Sequence, residues 1–261
     1  MLNHPKNKFL HFHYLAFIVQ FSRSLIIFAG LLLIWQSIIL FWHLPDYILP
    51  SPSHVFSTLY HQRNLIAIQT LPTLIETLLG FTLGIVFGCL AALFLAFFRP
   101  LAHWLLPTLI ISQAIPTFAI APLFVIWLGY GMASKILTAV LMIFFPITIA
   151  FYDGLCHTYA GWLDLARTMQ AKKWRIFWHI RIPAALPRLA SGIRIAAVAA
   201  PLGAVIGEWV GASRGLGYLM LNANARMQID MMFAALIVII MLALILYFSI
   251  DKLLRLLIWW E

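Results

Sequence analysis

Residues 164–187 of this chain read DLARTMQAKKWRIFWHIRIPAALP. This basic stretch lies between long apolar runs. Its pattern predicts two short helices, at about 162–169 and 172–180, and Pro183 and Pro187 are expected to limit helix formation beyond the second one. The second helix carries an apolar stripe at helical spacing, formed by Trp174, Phe177, Trp178 and Ile180. Such a segment can bury its aromatic face on a helical bundle and present a short helix to a partner protein.

The composition excludes a soluble globular protein. Hydrophobic residues make up 64% of the chain, charged residues 10%, and the mean hydropathy is +0.98. Soluble domains contain about 25% charged residues, so lipid must solvate much of this surface. The formal charge of +9 does not indicate nucleic-acid binding, because Lys and Arg lie in the gaps between apolar runs. The chain is therefore predicted to be a polytopic membrane protein.

An all-α bundle of about six transmembrane helices is predicted from the apolar runs, at about 25–43, 73–98, 103–127, 135–152, 189–212 and 231–257. Each run is close to or above the roughly 20 residues that cross a bilayer. The run at 25–43 is too long for a signal peptide and is retained as the first span. Residues 1–24 are expected to be cytoplasmic or interfacial. In the outer loop, Ser51 or Ser53 is expected to cap a short helix at about 54–63.

The distribution of Lys and Arg predicts the orientation. If both termini are cytoplasmic, 13 of the 17 cations lie inside, and the outer set is Arg63, Lys135, Arg214 and Arg226. This bias favours that orientation strongly. The loop at 153–188 is then cytoplasmic.

The loop resembles a family motif. Permeases of type I ABC importers carry Glu-Ala-Ala, three residues, Gly, nine residues and Ile-x-Leu-Pro. Here Asp164 begins the first element, Gln170 takes the place of the Gly, and residues 180–183 form the last element, with the same spacing throughout. Gln at the Gly position implies either a gentler bend or a strained φ.

The resemblance implies a type I ABC permease domain at about 66–257, preceded by the first span and outer loop at 25–65. It also implies a bacterial inner-membrane importer with two cytoplasmic ATPase subunits, two permease subunits and a periplasmic or lipid-anchored binding protein. No Gly-x4-Gly-Lys-Ser/Thr motif occurs, so ATP hydrolysis is assigned to a partner and no enzyme activity, cofactor or metal is expected. The ATPase-coupling residues implied are Asp164, Leu165, Ala166, Gln170, Ala171, Lys172, Ile180 and Pro183. A second copy of this chain is the expected second permease.

Other segments resemble one branch of these permeases. Residues 116–131 and 208–219 are similar to the branch for sulfonates, taurine, nitrate and pyrimidine precursors, and residues 221–235 look most like permeases for hydroxymethylpyrimidine-type thiamine precursors. An alkanesulfonate is the alternative substrate, with nitrate or taurine behind it. The carboxylates at membrane depth favour a neutral or weakly basic pyrimidine.

Three polar residues inside the spans are candidates for the solute path: Glu76, Gln113 and Glu208. A carboxylate within the membrane normally faces the bundle interior and has a partner. For Glu208 the competing interpretation is pairing with Arg214 or capping of a helix, and for Gln113 it is an interhelical hydrogen bond.

Small residues predict the packing surfaces. Gly80, Gly84 and Gly88 repeat on one face of the second span, and Ala196, Ala199, Ala200 and Gly203 have a similar role in the fifth. These stripes allow neighbouring helices to approach closely.

The sequence disfavours two other classes of function. An ion-coupled secondary transporter would be expected to show inverted repeats, and none is evident. A membrane-embedded enzyme would need a recognisable catalytic grouping, and neither His-Glu-x-x-His nor Gly-x-Ser-x-Gly occurs.

Overall fold

The computed structural model of the protein describes residues 26–27 and 29–259. The segment 1–24, with its expected interfacial position, lies outside the described residues. No β-strand occurs in the part described, as predicted for an all-α fold. The helices are α1 (Ala29–Trp42), α2 (Pro52–His61), α3 (Arg63–Phe97), α4 (Arg99–Ser112), α5 (Thr117–Leu128), α6 (Met132–Cys156), α7 (Ala160–Thr168), α8 (Lys173–Ile176), α9 (Ile182–Gly211), α10 (Leu216–Ala225) and α11 (Ile229–Leu257).

Four helical stretches between residues 29 and 259 are long and apolar enough to cross a membrane. They are α3, α6, the continuous stretch Lys173–Gly211 and α11. The first predicted span is represented by α1, which is apolar but shorter. The third predicted span is occupied by the pair α4 and α5. Within the described residues, helix is found at all six predicted positions, and an uninterrupted helix of spanning length is found at four of them.

The prediction of one continuous span at 103–127 was wrong. The axes of α4 and α5 are bent by 100° at a break between them. The N–H groups of Gln113, Ala114 and Ile115 bond three residues back, which tightens the end of α4. Pro116 then has φ −60° and ψ 123°, an extended conformation that ends the helix. Proline also disfavours helical geometry in the residue before it.

The expected limits at Pro183 and Pro187 were also wrong, because α9 contains both residues. Residues Phe177–Arg181 form one π-helical turn that joins α8 to α9. The N–H of Ile182 donates to the carbonyl of Phe177, five residues back. This wider turn lies next to Pro183, which has no N–H to donate. The second short helix is therefore the first part of the fifth span.

Helix α6 lies between the glycine-bearing faces of α3 and α9, as the small-residue stripes predicted. On α3, a Cβ added at Gly80 would lie 2.5 Å from the Cβ of Ala139, and Gly84 similarly faces Ile143. On α9, a Cβ at Gly203 would lie 2.8 Å from the Cα of Ala139. The same segment of α6 is thus contacted closely from both sides. This three-helix core holds in place both the elbow at one end of the bundle and the buried carboxylates near the other.

Candidate functional site

The segment at 153–188 forms a tight elbow. Helix α7 ends in a Schellman motif, in which the N–H of Ala171 donates to Ala166 and that of Gln170 donates to Arg167, at 3.0 and 2.9 Å. Gln170 has φ +54°, the left-handed region normally occupied by glycine. Of the two consequences expected for Gln at this position, the sharp turn with a strained φ is the one observed. A left-handed non-glycine residue costs about 1–2 kcal/mol.

An apolar groove, here called the elbow groove, lies between α7 and the start of α9. Its lining residues are Trp162, Leu165, Ala166, Met169, His179, Ile180, Pro183 and Ala184, and its volume is about 400 Å³. The structure therefore brings together Leu165, Ala166, Ile180 and Pro183 of the predicted coupling set. Ala166 is buried against the fold, whereas Leu165 is 62% exposed. Large exposed apolar side chains beside a groove are typical of a protein-binding surface.

The remaining predicted coupling residues surround this groove. Asp164 is exposed and forms an ion pair with Arg167, whose guanidinium nitrogen is 2.7 Å from the carboxylate. Lys172 is exposed and precedes α8 as its N-cap residue. Gln170 and Ala171 form the turn and line a separate cavity beside it. None of them lines the elbow groove.

The elbow is anchored to the bundle through Phe177. Its side chain is buried in a cluster with Ala92, Phe151, Leu155 and Ala185. Its ring centroid is also 4.6 Å from that of Phe97, the last residue of α3. Of the predicted aromatic stripe, Trp174 and Trp178 remain exposed. One buried ring therefore joins the elbow to the ends of three spanning helices.

Near the opposite end of the bundle, Glu208 caps α10. One carboxylate oxygen accepts a hydrogen bond from the hydroxyl of Thr73 at 2.5 Å, and the other accepts from the N–H of Gly217 at 2.5 Å. The Thr73 oxygen in turn accepts from the N–H of Leu216, and Gln69 accepts from that of Gly215. Among the two alternatives to a solute role, capping is observed and pairing with Arg214 is not.

Gly215 is required at this position for two reasons. Its φ of +117° is strained for any residue with a side chain, and a Cβ there would collide with the Glu208 carboxylate. Sequence patterns alone did not predict α10 or the capping roles of Gln69 and Thr73. The sequence did contain a signal for this arrangement. Three polar residues, Gln69, Thr73 and Glu76, share one helix face with Gly80, at steps of three and four residues.

Glu76 lies on the same face of α3 and pairs with Lys135 of α6. The side-chain nitrogen of Lys135 is 3.5 Å from one carboxylate oxygen of Glu76. Lys135 is 8% exposed and Glu76 is 1% exposed. The other oxygen of Glu76 is buried, and the carboxyl group of Glu208 is close enough to act on Glu76 electrostatically. The charge distribution placed Lys135 among the outer cations, but the structure buries it in the bundle beside a carboxylate.

A cavity of about 280 Å³, here called the outer cavity, opens at this pair. The name refers to the end of the bundle that the charge distribution predicts to be outside. The polar residues that line the cavity are Glu76, Tyr130, Lys135, Ser213 and Arg214. Gln113 lies elsewhere, exposed at the break between α4 and α5. Of the three predicted path residues, the structure therefore brings Glu76 and Glu208 together and leaves Gln113 apart from them.

Comparison with known proteins gives consistent results. A probable ABC transporter permease protein of Haemophilus influenzae is 53% identical over 92% of this chain and 98% of its own length. The formylaminopyrimidine transport permease protein ThiX of Halalkalibacterium halodurans is 36% identical over 82% of this chain and 86% of its own. Permeases named for aliphatic sulfonates and taurine also match, so the branch inferred from the sequence is confirmed.

The fold has a counterpart among solved structures. The inward-facing MetNI methionine ABC transporter contains a chain that superposes with a TM-score of 0.64 at 21% identity, over 74% of this chain and 96% of that one. At this identity the likeness establishes the fold alone, which is the type I permease fold predicted. Residues 84–258 match the family described as binding-protein-dependent transport system inner membrane component. The chain belongs to this family and is a membrane-embedded permease subunit of an ABC transporter, without enzymatic activity of its own.

Proposed function

We propose that this permease imports a pyrimidine precursor of thiamine, and that ATPase subunits drive it by gripping the elbow at 153–188. The observation that carries the coupling role is the elbow groove, with Leu165 and Met169 exposed beside it. Exposed apolar side chains at a helix end are suited to insertion into a partner's groove. The Schellman turn and the buried Phe177 give this helix a fixed position on the bundle.

The proposed assembly is a consequence of this role. Two permease copies each present one elbow to one cytoplasmic ATPase subunit, and a periplasmic or lipid-anchored binding protein delivers the solute on the other side. Both termini are then cytoplasmic, and the transmembrane type I domain spans about 66–257. Closure of the two ATPases would move the two elbows and switch the permease pair between inward-open and outward-open states.

The eight coupling residues divide into two proposed roles. Asp164, Leu165 and Lys172 are exposed and are proposed to contact the ATPase directly. Ala166, Gln170, Ala171, Ile180 and Pro183 are proposed to shape the elbow that presents them. The buried position of Ala166 and the left-handed φ of Gln170 support this division.

Two observations support the proposal that the solute is a pyrimidine: the residues that line the outer cavity, and the similarity to a permease named for formylaminopyrimidine. An aminopyrimidine carries an amino donor beside a ring nitrogen acceptor. Glu76 and Lys135 both line the outer cavity, where a carboxylate can accept from the amino group and an ammonium can donate to the ring nitrogen. Both carboxylate oxygens of Glu208 already accept hydrogen bonds, from Thr73 and from Gly217, so we propose Glu76 rather than Glu208 as the solute-facing carboxylate. Gln113 is proposed to face the solute at the α4–α5 break.

An alkanesulfonate remains the second candidate, because Lys135 and Arg214 both line the outer cavity. Uptake by cells lacking this gene separates the two. Labelled formylaminopyrimidine or hydroxymethylpyrimidine should enter only when the gene is restored, and labelled ethanesulfonate should enter equally with and without it. Gene-dependent sulfonate uptake without pyrimidine uptake would refute the substrate assignment and leave the coupling role intact.

The coupling role has its own test. Leu165→Arg places a charge on the exposed face of the elbow groove, and it should lower uptake at least tenfold while the permease still reaches the membrane. Leu256→Arg is the matched control, because Leu256 is also exposed and lies near the end of α11. Normal uptake by Leu165→Arg would refute the role proposed for the elbow.

A further inference from the structure

A second cavity lies on the other side of the elbow, between α7, α8 and the end of α3. Its volume is about 770 Å³. Three cationic side chains line it, Arg167, Lys173 and Arg181, together with the aromatic rings of Phe97, Trp174 and Phe177. We call it the basic cavity. It shares no lining residue with the elbow groove.

The positive charge of this cavity is poorly compensated. No acidic residue lines it. Of the described carboxylates, only Asp164 pairs with one of the three cations, Arg167, and that pair is exposed to solvent. No carboxylate of the described residues lies within 4.0 Å of Lys173 or Arg181. Several uncompensated cations around one concave site produce a focused positive potential.

The aromatic rings place the cavity at the edge of the membrane. Phe97 is the last residue of α3, a spanning helix, and its ring centroid is 5.7 Å from that of the exposed Trp174. Trp side chains at the end of a span mark the depth of the lipid headgroups. Basic pockets at this depth between spanning helices are suited to phosphate-bearing headgroups.

Gln170 adds an uncharged donor to the same cavity. It stands at the glycine position of the motif that this segment resembles, adopts φ +54° and lines the cavity. Residues with strained backbone conformations cluster at ligand-binding sites, which makes Gln170 a candidate for binding a ligand. The amide group gives the cavity a hydrogen-bond donor that glycine would not supply, and this can compensate for the backbone strain when an acceptor is bound.

We propose that the basic cavity binds a phosphate group, held by Lys173 and Arg181 with the amide of Gln170 and enclosed by the aromatic rings. Arginine can donate two hydrogen bonds to one phosphate, and lysine adds a point charge. A phosphate bound here would join α3 to the elbow and thereby set how firmly the elbow is held. The phosphate can come from an anionic lipid or from a soluble phosphate compound, and the test separates these sources.

The test uses the full-length chain in dodecyl maltoside and measures its Tm as phosphatidylglycerol is added, with phosphatidylcholine as the neutral lipid. Wild type should show a saturable rise in Tm with phosphatidylglycerol beyond that seen with phosphatidylcholine. Lys173→Gln and Arg181→Gln should each raise the half-saturating concentration about fivefold, and the double variant about 25-fold. Arg175→Gln is the matched control, since Arg175 lies in the same segment but does not line the cavity; its midpoint should equal that of wild type.

A second arm replaces the lipid with inorganic phosphate or AMP. A saturable rise with either one, lost in the same two variants, would identify a soluble phosphate compound as the occupant. Because melting in phosphatidylcholine is measured for every variant, a folding defect is distinguished from a binding defect. Gln170→Gly should weaken the response to the ligand while its Tm without ligand rises. The proposal is overturned if the double variant responds with the wild-type midpoint, if Arg175→Gln weakens the response as much, or if no phosphate compound raises the Tm.

Discussion

Replacing Lys135 with Met should destabilise this permease more than any loss of an exposed cation. Lys135 is the charged partner of Glu76, whose side chain is almost fully buried between α3 and α6. Met retains much of the length of the Lys stem without the charge, so packing against α9 changes little. The variant therefore leaves a buried carboxylate with no cation beside it.

The magnitude is set by the burial of the pair. Removing one partner of a buried ion pair costs about 3–5 kcal/mol, because the remaining charge is uncompensated. For a chain of this size each kcal/mol corresponds to roughly 2–4 °C in Tm, so the expected fall is roughly 6–20 °C. Replacing both residues, as in Glu76→Gln with Lys135→Met, removes both charges and should recover most of the loss.

Thermal unfolding of the purified full-length chain in detergent measures this directly for the two single variants, the double variant and wild type. Arg226→Met is the matched control, since it removes one cation from an exposed position near the same end of the bundle. Its Tm should stay within about 2 °C of wild type. The reasoning is refuted if Lys135→Met melts as wild type does, or if the double variant loses the sum of the two single effects.

Three further predictions concern the packing and the elbow. Gln170→Gly removes the side chain from a residue with left-handed backbone conformation and should raise the Tm by a few degrees, which corresponds to about 1 kcal/mol of stability. A fall in Tm would show that contacts of the Gln170 side chain stabilise the fold by more than the backbone strain costs. Gly84→Leu forces a side chain into the space of Ile143 and should prevent α3 from seating on α6, seen as loss of folded protein in size-exclusion profiles, whereas Gly30→Leu, which has open space, should be tolerated. Phe177→Ala should cost about 3–5 kcal/mol in thermal unfolding through loss of the buried ring, against little change for the exposed Trp178→Ala.

Periodicity and composition predicted the all-α bundle, the positions of its helical runs and the glycine faces. The prediction of a short capped helix after the first span was also correct, since Ser51 caps α2 by accepting a hydrogen bond from the N–H of His54. Each of these depends on local pattern. A glycine stripe or a capping serine can be recognised from nearby residues alone, whatever the helix packs against.

The errors in the helix assignment all occur at proline residues. Pro116 breaks a run that its hydropathy predicted to be continuous, whereas Pro183 does not break the helix in which it lies. Pro116 follows a turn tightened by hydrogen bonds three residues back, whereas Pro183 follows a π turn in a continuous helix. Hydropathy averages over such a break and cannot locate it.

Only those parts of the candidate site whose residues are close together in sequence were predicted. The coupling segment could be found from spacing within one stretch of chain. The Glu76–Lys135 pair and the capping of α10 by α3 join residues from separate helices, and the contacts appear only once those helices are packed. Lys135 in particular is the first residue of its predicted span, a position at which a cation is normally exposed, and its burial was not predicted.

The central claim is that the elbow is a cytoplasmic handle for an ATPase. Its most direct test is site-specific cross-linking in membranes, using Leu165→Cys in a chain whose own Cys89 and Cys156 are replaced by Ser. A cross-link to a nucleotide-binding subunit should form from position 165, with no labelling by a membrane-impermeant maleimide added outside intact cells. Labelling of that cysteine from outside, with no cross-link to any ATPase, would contradict the account.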